Sequence, residues 1–166
     1  MSHLSSTLPA AAWAERLEET ESLDRVVEIV RPFGDWFVAE PARRDLLRGA
    51  WLGHAVHPTL TDVPVGLWTA AVTLDLLGGK GAQPAAQRLI GLGVLAAAPT
   101  AWTGWAEWSG APTEQQRVGV VHVAAFGLTA TGFIASWLAR DGYIDQAAAL
   151  VATGFLGGHL SAIRKR

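Results

Sequence analysis

The chain has 166 residues, of which 50% are hydrophobic and 17% charged, with a net charge of −2. That length suits one compact domain, and the near balance of charge leaves no basic footprint for nucleic acid. The absence of cysteine excludes disulfides, thiolate zinc sites, cysteine-ligated iron–sulfur clusters and covalently attached c-type haem.

In chain order, residues 1–10 read as an unordered start. Met1 to Ala12 lacks a basic stretch followed by an apolar run, so no cleaved signal peptide is expected. From Pro9 to Val30 the pattern is helical, with Leu23, Val26, Val27 and Val30 on one stripe, and Pro32 and Gly34 are expected to end it. A second short helix is expected from Pro41. Its Arg43, Arg44 and Arg48 stand opposite Leu46, Leu47 and Trp51, which fits either a helix on a membrane surface or a cap packed on a bundle. Residues 1–50 therefore form a polar N-terminal segment with amphipathic helices, and residues 51–166 carry the rest.

Four apolar stretches follow: Leu60–Leu77, Leu89–Trp105, Val118–Leu138 and Tyr143–Leu160. A spanning helix needs about 20 mostly apolar residues, so the expected fold is all-α, a four-helix transmembrane bundle preceded by short amphipathic helices. Small residues suited to close packing recur, as in Gly66-x-x-x-Ala70 and Gly154-x-x-x-Gly158. Trp51, Trp105, Trp108 and Trp137 near segment ends read as interfacial anchors. Asp62 reads as the cap of the first span, with Pro64 in its first turn, and Pro99 as a kink in the second. Thr100, Thr129, Thr131 and Thr153 are expected to bond backbone carbonyls. Arg43, Arg44 and Arg48 before the first span, Arg117 before the third and Arg164, Lys165 and Arg166 after the fourth put both ends of the bundle inside.

That topology gathers ionisable residues in one leaflet. His57 opens the first span, while His122 follows Arg117 by five residues, about 7.5 Å along the third helix. His159 lies at the matching depth on the fourth. His54, Asp62 and Glu107 belong to the same layer, and His3 does not. Intramembrane ionisable groups usually face the bundle interior, and imidazoles meeting there can ligate a metal ion or the iron of a b-type haem. On that reading His57, His122 and His159 hold the group, with Asp62 or Glu107 orienting them and His54 nearer water. The other reading gives each histidine an ordinary hydrogen bond at a helix end. No phosphate-binding loop, nucleophile–base motif or zinc-protease motif points to an enzyme.

The stretch His57-Pro-Thr-Leu-Thr-Asp-Val-Pro-Val-Gly-Leu-Trp-Thr-Ala resembles the opening motif of a bacterial membrane family known as domain of unknown function 2231. The likeness continues through Leu74-Asp75-Leu76, Arg88 to Ala97, Thr103-Gly104-Trp105 and Arg117 to His122, and closes with Leu156-Gly-Gly-His-Leu-Ser161. It implies four spans in an inner membrane, with His57, His122 and His159 at motif positions. Some members of that family are fused to a Rieske iron–sulfur domain. A Rieske centre needs two cysteines that this chain lacks. Two functions follow as expectations. One is electron transfer through a metal ion or haem b, with a redox protein as partner. The other is a cofactor-free structural or partner-binding bundle, in which a second copy could be the partner.

Overall fold

A computed structural model describes residues 9–139, all of whose regular elements are helical. Helices α1 (Pro9–Glu18), α2 (Asp24–Val38) and α3 (Pro41–Arg48) form an N-terminal cap, and α4 (His57–Leu77), α5 (Gly79–Trp108) and α6 (Thr113–Ala139) form the bundle. The last three, of 21, 30 and 27 residues, are long and apolar enough to cross a membrane. The fourth apolar stretch, Tyr143–Leu160, lies outside the described residues, and with it His159, Thr153 and the Gly154–Gly158 pair. At 1.5 Å per residue α5 is about 45 Å long, against a hydrocarbon core of about 30 Å. Its surplus turns are where the cap packs.

Partner positions show that α4 and α5 run antiparallel. His57 meets Thr100, while Trp68 meets Ile90, so the paired numbers fall as the first ones rise. Between α5 and α6, Trp108 pairs with Gln116 and Gly91 faces Trp137, again antiparallel. Trp68 is the centre of the bundle. It is fully buried, its ring stacks on Phe133 of α6 with centroids 4.5 Å apart, and Nε1 donates to the Ile90 carbonyl at 3.4 Å. Gly93 of α5 lies under the indole so closely that a Cβ there would collide with it.

Several boundaries differ from those the sequence suggests. The first amphipathic stretch is two helices, broken between Glu18 and Asp24 by a short 3-10 turn. Helix α2 runs through Pro32 and Gly34 to Val38. Gly34 does not stop it but lets it approach α5, since a Cβ there would lie 2.8 Å from the Trp108 ring. The first span begins at His57, with Pro58 in the first turn, so Asp62 is an exposed mid-helix residue and Pro64 lies inside the helix. Pro64, the eighth residue of the helix, has no N–H to offer the Leu60 carbonyl four residues back, and the Thr100 hydroxyl of α5 lies 3.1 Å from that carbonyl. The motif Asp62-x-Pro64 only imitates a start. Gly66 and Ala70 are exposed, and a Cβ at Gly66 would meet nothing within 4 Å. That small-residue pair is not a contact within the described bundle. Helix α5 is continuous through Pro84 and Pro99.

The cap is tied to the bundle by charge. Arg117 of α6 donates to both oxygens of Asp24 at 2.7 and 2.9 Å, and to the Glu18 carbonyl at 2.6 Å. These bonds hold the Asp24 carboxyl below the usual carboxylate range. Arg48 of α3 donates to the Ala106 carbonyl at 2.9 Å. Helix α3 starts on Glu40, whose side chain accepts from the Ala42 and Arg43 amides, and ends at Gly49, whose φ of 78° suits glycine. Through the Arg48 bond α3 is packed against the end of α5.

Two outcomes are expected in detergent. Gly93→Ala should lower stability by about 1–3 kcal/mol, the usual cost of overpacking, whereas Gly66→Ala should leave it unchanged or raise it; equal melting temperatures for both variants would refute the Trp68 seat. A carboxyl with a lowered folded pKa stabilises above its unfolded pKa and loses that contribution as pH falls through the folded one. Asp24→Asn should therefore melt earlier than wild type between about pH 5 and pH 8, with the difference closing under stronger acid.

Candidate pocket at the His57 end

Between α4, α5 and α6 lies a cavity of about 430 Å³ bordered by His57, Thr61, Thr100, Gly104, Trp105, Glu107, Trp108, Gln115, His122 and Phe126. That is within the usual range for a small-molecule site, which is mostly apolar with a few placed polar groups. Phe126 is its floor, since the same ring packs on the Trp68 cluster below.

His57 is held from α5. Its Nδ1 lies 3.0 Å from the Thr100 carbonyl and 3.3 Å from the Thr103 hydroxyl. The carbonyl can only accept, and the Thr103 hydroxyl donates its own proton to the Thr100 carbonyl at 2.8 Å. A hydrogen on Nδ1 satisfies that carbonyl, and in a neutral ring this leaves the lone pair on Nε2. Gly104 makes room for the imidazole, because a Cβ there would fall 2.8 Å from Cε1. The motif Thr103-Gly104-Trp105 thus supplies a hydrogen-bond partner, a gap and a wall to one site.

Trp108 closes the far side. Its Nε1 donates to the Gln116 carbonyl at 3.0 Å, while Gln116 Nε2 donates to the Trp108 carbonyl at 3.1 Å. Arg31 of α2 donates to Gln116 Oε1 at 3.1 Å. Gly34 of α2 and Gly119 of α6 both lie against its ring, each too close to admit a Cβ without a shift. Trp108 is 8% exposed, so it is a core residue and not the interfacial anchor that its place near the segment end suggests. Trp51 and Trp137 are exposed, at 67% and 45%.

The sequence-derived site residues divide. His57, His122 and Glu107 border the pocket. His54 also borders it but is exposed, and its Nδ1 lies 3.0 Å from the Ala55 carbonyl. Asp62 is exposed and does not line the pocket. Among the described residues, no three His, Asp, Glu or Cys side chains form a group that could hold a metal ion. Sequence reasoning missed Gly104, Trp108 and Gln115 as site residues. The glycine had a signal: glycine within a helix costs about 1 kcal/mol relative to alanine, and so asks for a packing reason.

The three long helices agree with a membrane protein. The chain matches no family model, no curated protein and no solved structure.

Proposed function

We propose that this protein is a multi-pass membrane bundle that binds a metal ion or b-type haem at its His57 end and passes electrons to a redox partner. The observation that carries the reading is the contact of His57 Nδ1 with the Thr100 carbonyl at 3.0 Å. An Nδ1–H bonded to a backbone carbonyl, leaving Nε2 as the lone-pair nitrogen, is the usual support of a ligating histidine. His122 borders the same pocket and would supply a second nitrogen. His159, on the fourth apolar stretch outside the described residues, would complete the set. Glu107, in place of Asp62, is the carboxylate positioned to orient a ring. A bound metal or haem would supply the one-electron chemistry that these side chains lack.

A second reading is favoured by the mostly apolar lining of the pocket: a cofactor-free bundle whose pocket receives a partner. Metal content and the visible spectrum of the purified protein distinguish the two. Electron transfer requires a bound species in the wild type that His57→Ala and His122→Ala remove, with helicity retained, and that Asp62→Asn leaves in place. A colourless, metal-free wild type would sink the first reading.

The proposed location is an inner membrane with the His57 end in the cytoplasm. Arg43, Arg44, Arg48 and Arg117 lie at that end, against Lys80 and Arg88 toward the other. Since the chain has no cysteine, single cysteines report sidedness cleanly. Gly81→Cys should react with an impermeant thiol reagent on intact cells and Ala50→Cys only after lysis; the opposite pattern would reverse the orientation.

A further inference from the structure

Helix α2 has an apolar arc wider than the bundle uses. At about 100° per residue, Val27, Val30, Gly34 and Phe37 face inward, and Val27, Gly34 and Phe37 are buried. Beside them Val26, Ile29, Phe33 and Trp36 form a contiguous flank that is 42, 70, 54 and 58% exposed. Glu28 and Asp35, both exposed, occupy the opposite side. A cap bathed in water would place polar residues on that flank, and a contiguous exposed apolar patch marks a contact surface.

The depth of the flank identifies what it touches. The Phe33 ring meets Trp105 edge-on with centroids 5.0 Å apart, and Trp105 closes the apolar run of α5. One turn earlier Trp102 is 51% exposed, and Leu95 and Leu92 continue its line at 72 and 53%. The flank thus continues the outward face of a helix long and apolar enough to cross the bilayer, at the level where that helix leaves the hydrocarbon. Arg43 stacks over Trp36 with its guanidinium carbon 4.3 Å from the ring centroid, the pairing of aromatic body and cationic head that suits a membrane interface.

We propose that the Val26–Ile29–Phe33–Trp36 flank of α2 lies in the headgroup–acyl boundary of the bilayer that α4, α5 and α6 cross, which makes the N-terminal cap an interfacial anchor. The occupant is lipid, and the driving force is apolar burial. Between Ala12 and Leu52 nine carboxylates outnumber six arginines, so attraction to anionic lipid does not seat the cap.

The test uses the full chain in phosphatidylcholine vesicles, with a nitroxide on Ile29→Cys, on Val26→Cys as a second reporter, and on Glu28→Cys as the polar-face control. Collision with oxygen, which concentrates among acyl chains, is compared with collision with a water-soluble nickel chelate. Residues 26 and 29 should favour oxygen and residue 28 the chelate, and adding anionic lipid should not change the order. Labels at 26 and 29 as open to the chelate as the one at 28 would overturn the proposal. So would labels shielded from both reagents, which would show the flank covered by protein, or acyl-chain contact that appears only with anionic lipid.

Discussion

The bundle depends on one large side chain meeting one absent side chain. Trp68 projects from α4 into the gap left by Gly93 on α5 and stacks on Phe133 of α6, so a single indole sets the register of three helices. In lipid there is little hydrophobic force between helices, and close van der Waals packing has to hold them together. An indole on a glycine gives much contact in little space. The stack also decides where the bundle is open. Phe126 leans on Trp68 with centroids 6.0 Å apart, which seals the core on one side and floors the pocket on the other.

Polar groups inside such a bundle need partners within it. Thr100 donates to the Ala96 carbonyl and lies within bonding distance of that of Leu60, while Thr129 and Thr131 donate to carbonyls four residues back. Most of these hydroxyls serve their own helix. The Leu60 contact and the His57–Thr100 bond instead join α4 to α5 at the pocket end. The same two chains of atoms therefore hold the helix pair together and fix the direction of the imidazole.

The spans were legible because length and composition suffice to find them, and the threonine bonds because chemistry allows little else. Placing His57 and His122 at the same end required only alternating helix direction. Rotation was not legible. Asp62 follows His57 by five residues, about 140° around a helix, so a residue in the right layer points away from the pocket. Punctuation also misled. Pro32, Gly34 and Pro64 carry the local signals of helix ends, yet each lies inside a helix, Gly34 because a tryptophan on another element needs the space of its missing side chain. Such a requirement belongs to two segments 74 positions apart, Gly34 and Trp108, and no local window contains it.

Trp108 shows why the cap and the pocket cannot be treated separately. Gly34 from the cap and Gly119 from α6 both press on its ring, and Arg31 of the cap bonds the Gln116 that exchanges two hydrogen bonds with Trp108, donating one and accepting the other. The neighbouring Trp105 takes the edge of Phe33. Two walls of the pocket are thus clamped by α2 from outside, while His57 and Thr100 face them from the spans. Interiors are close-packed and transmit displacement instead of absorbing it. A cap packed on α5 and α6 therefore fixes the two tryptophan walls, and through them the width of the space beside His57 and His122.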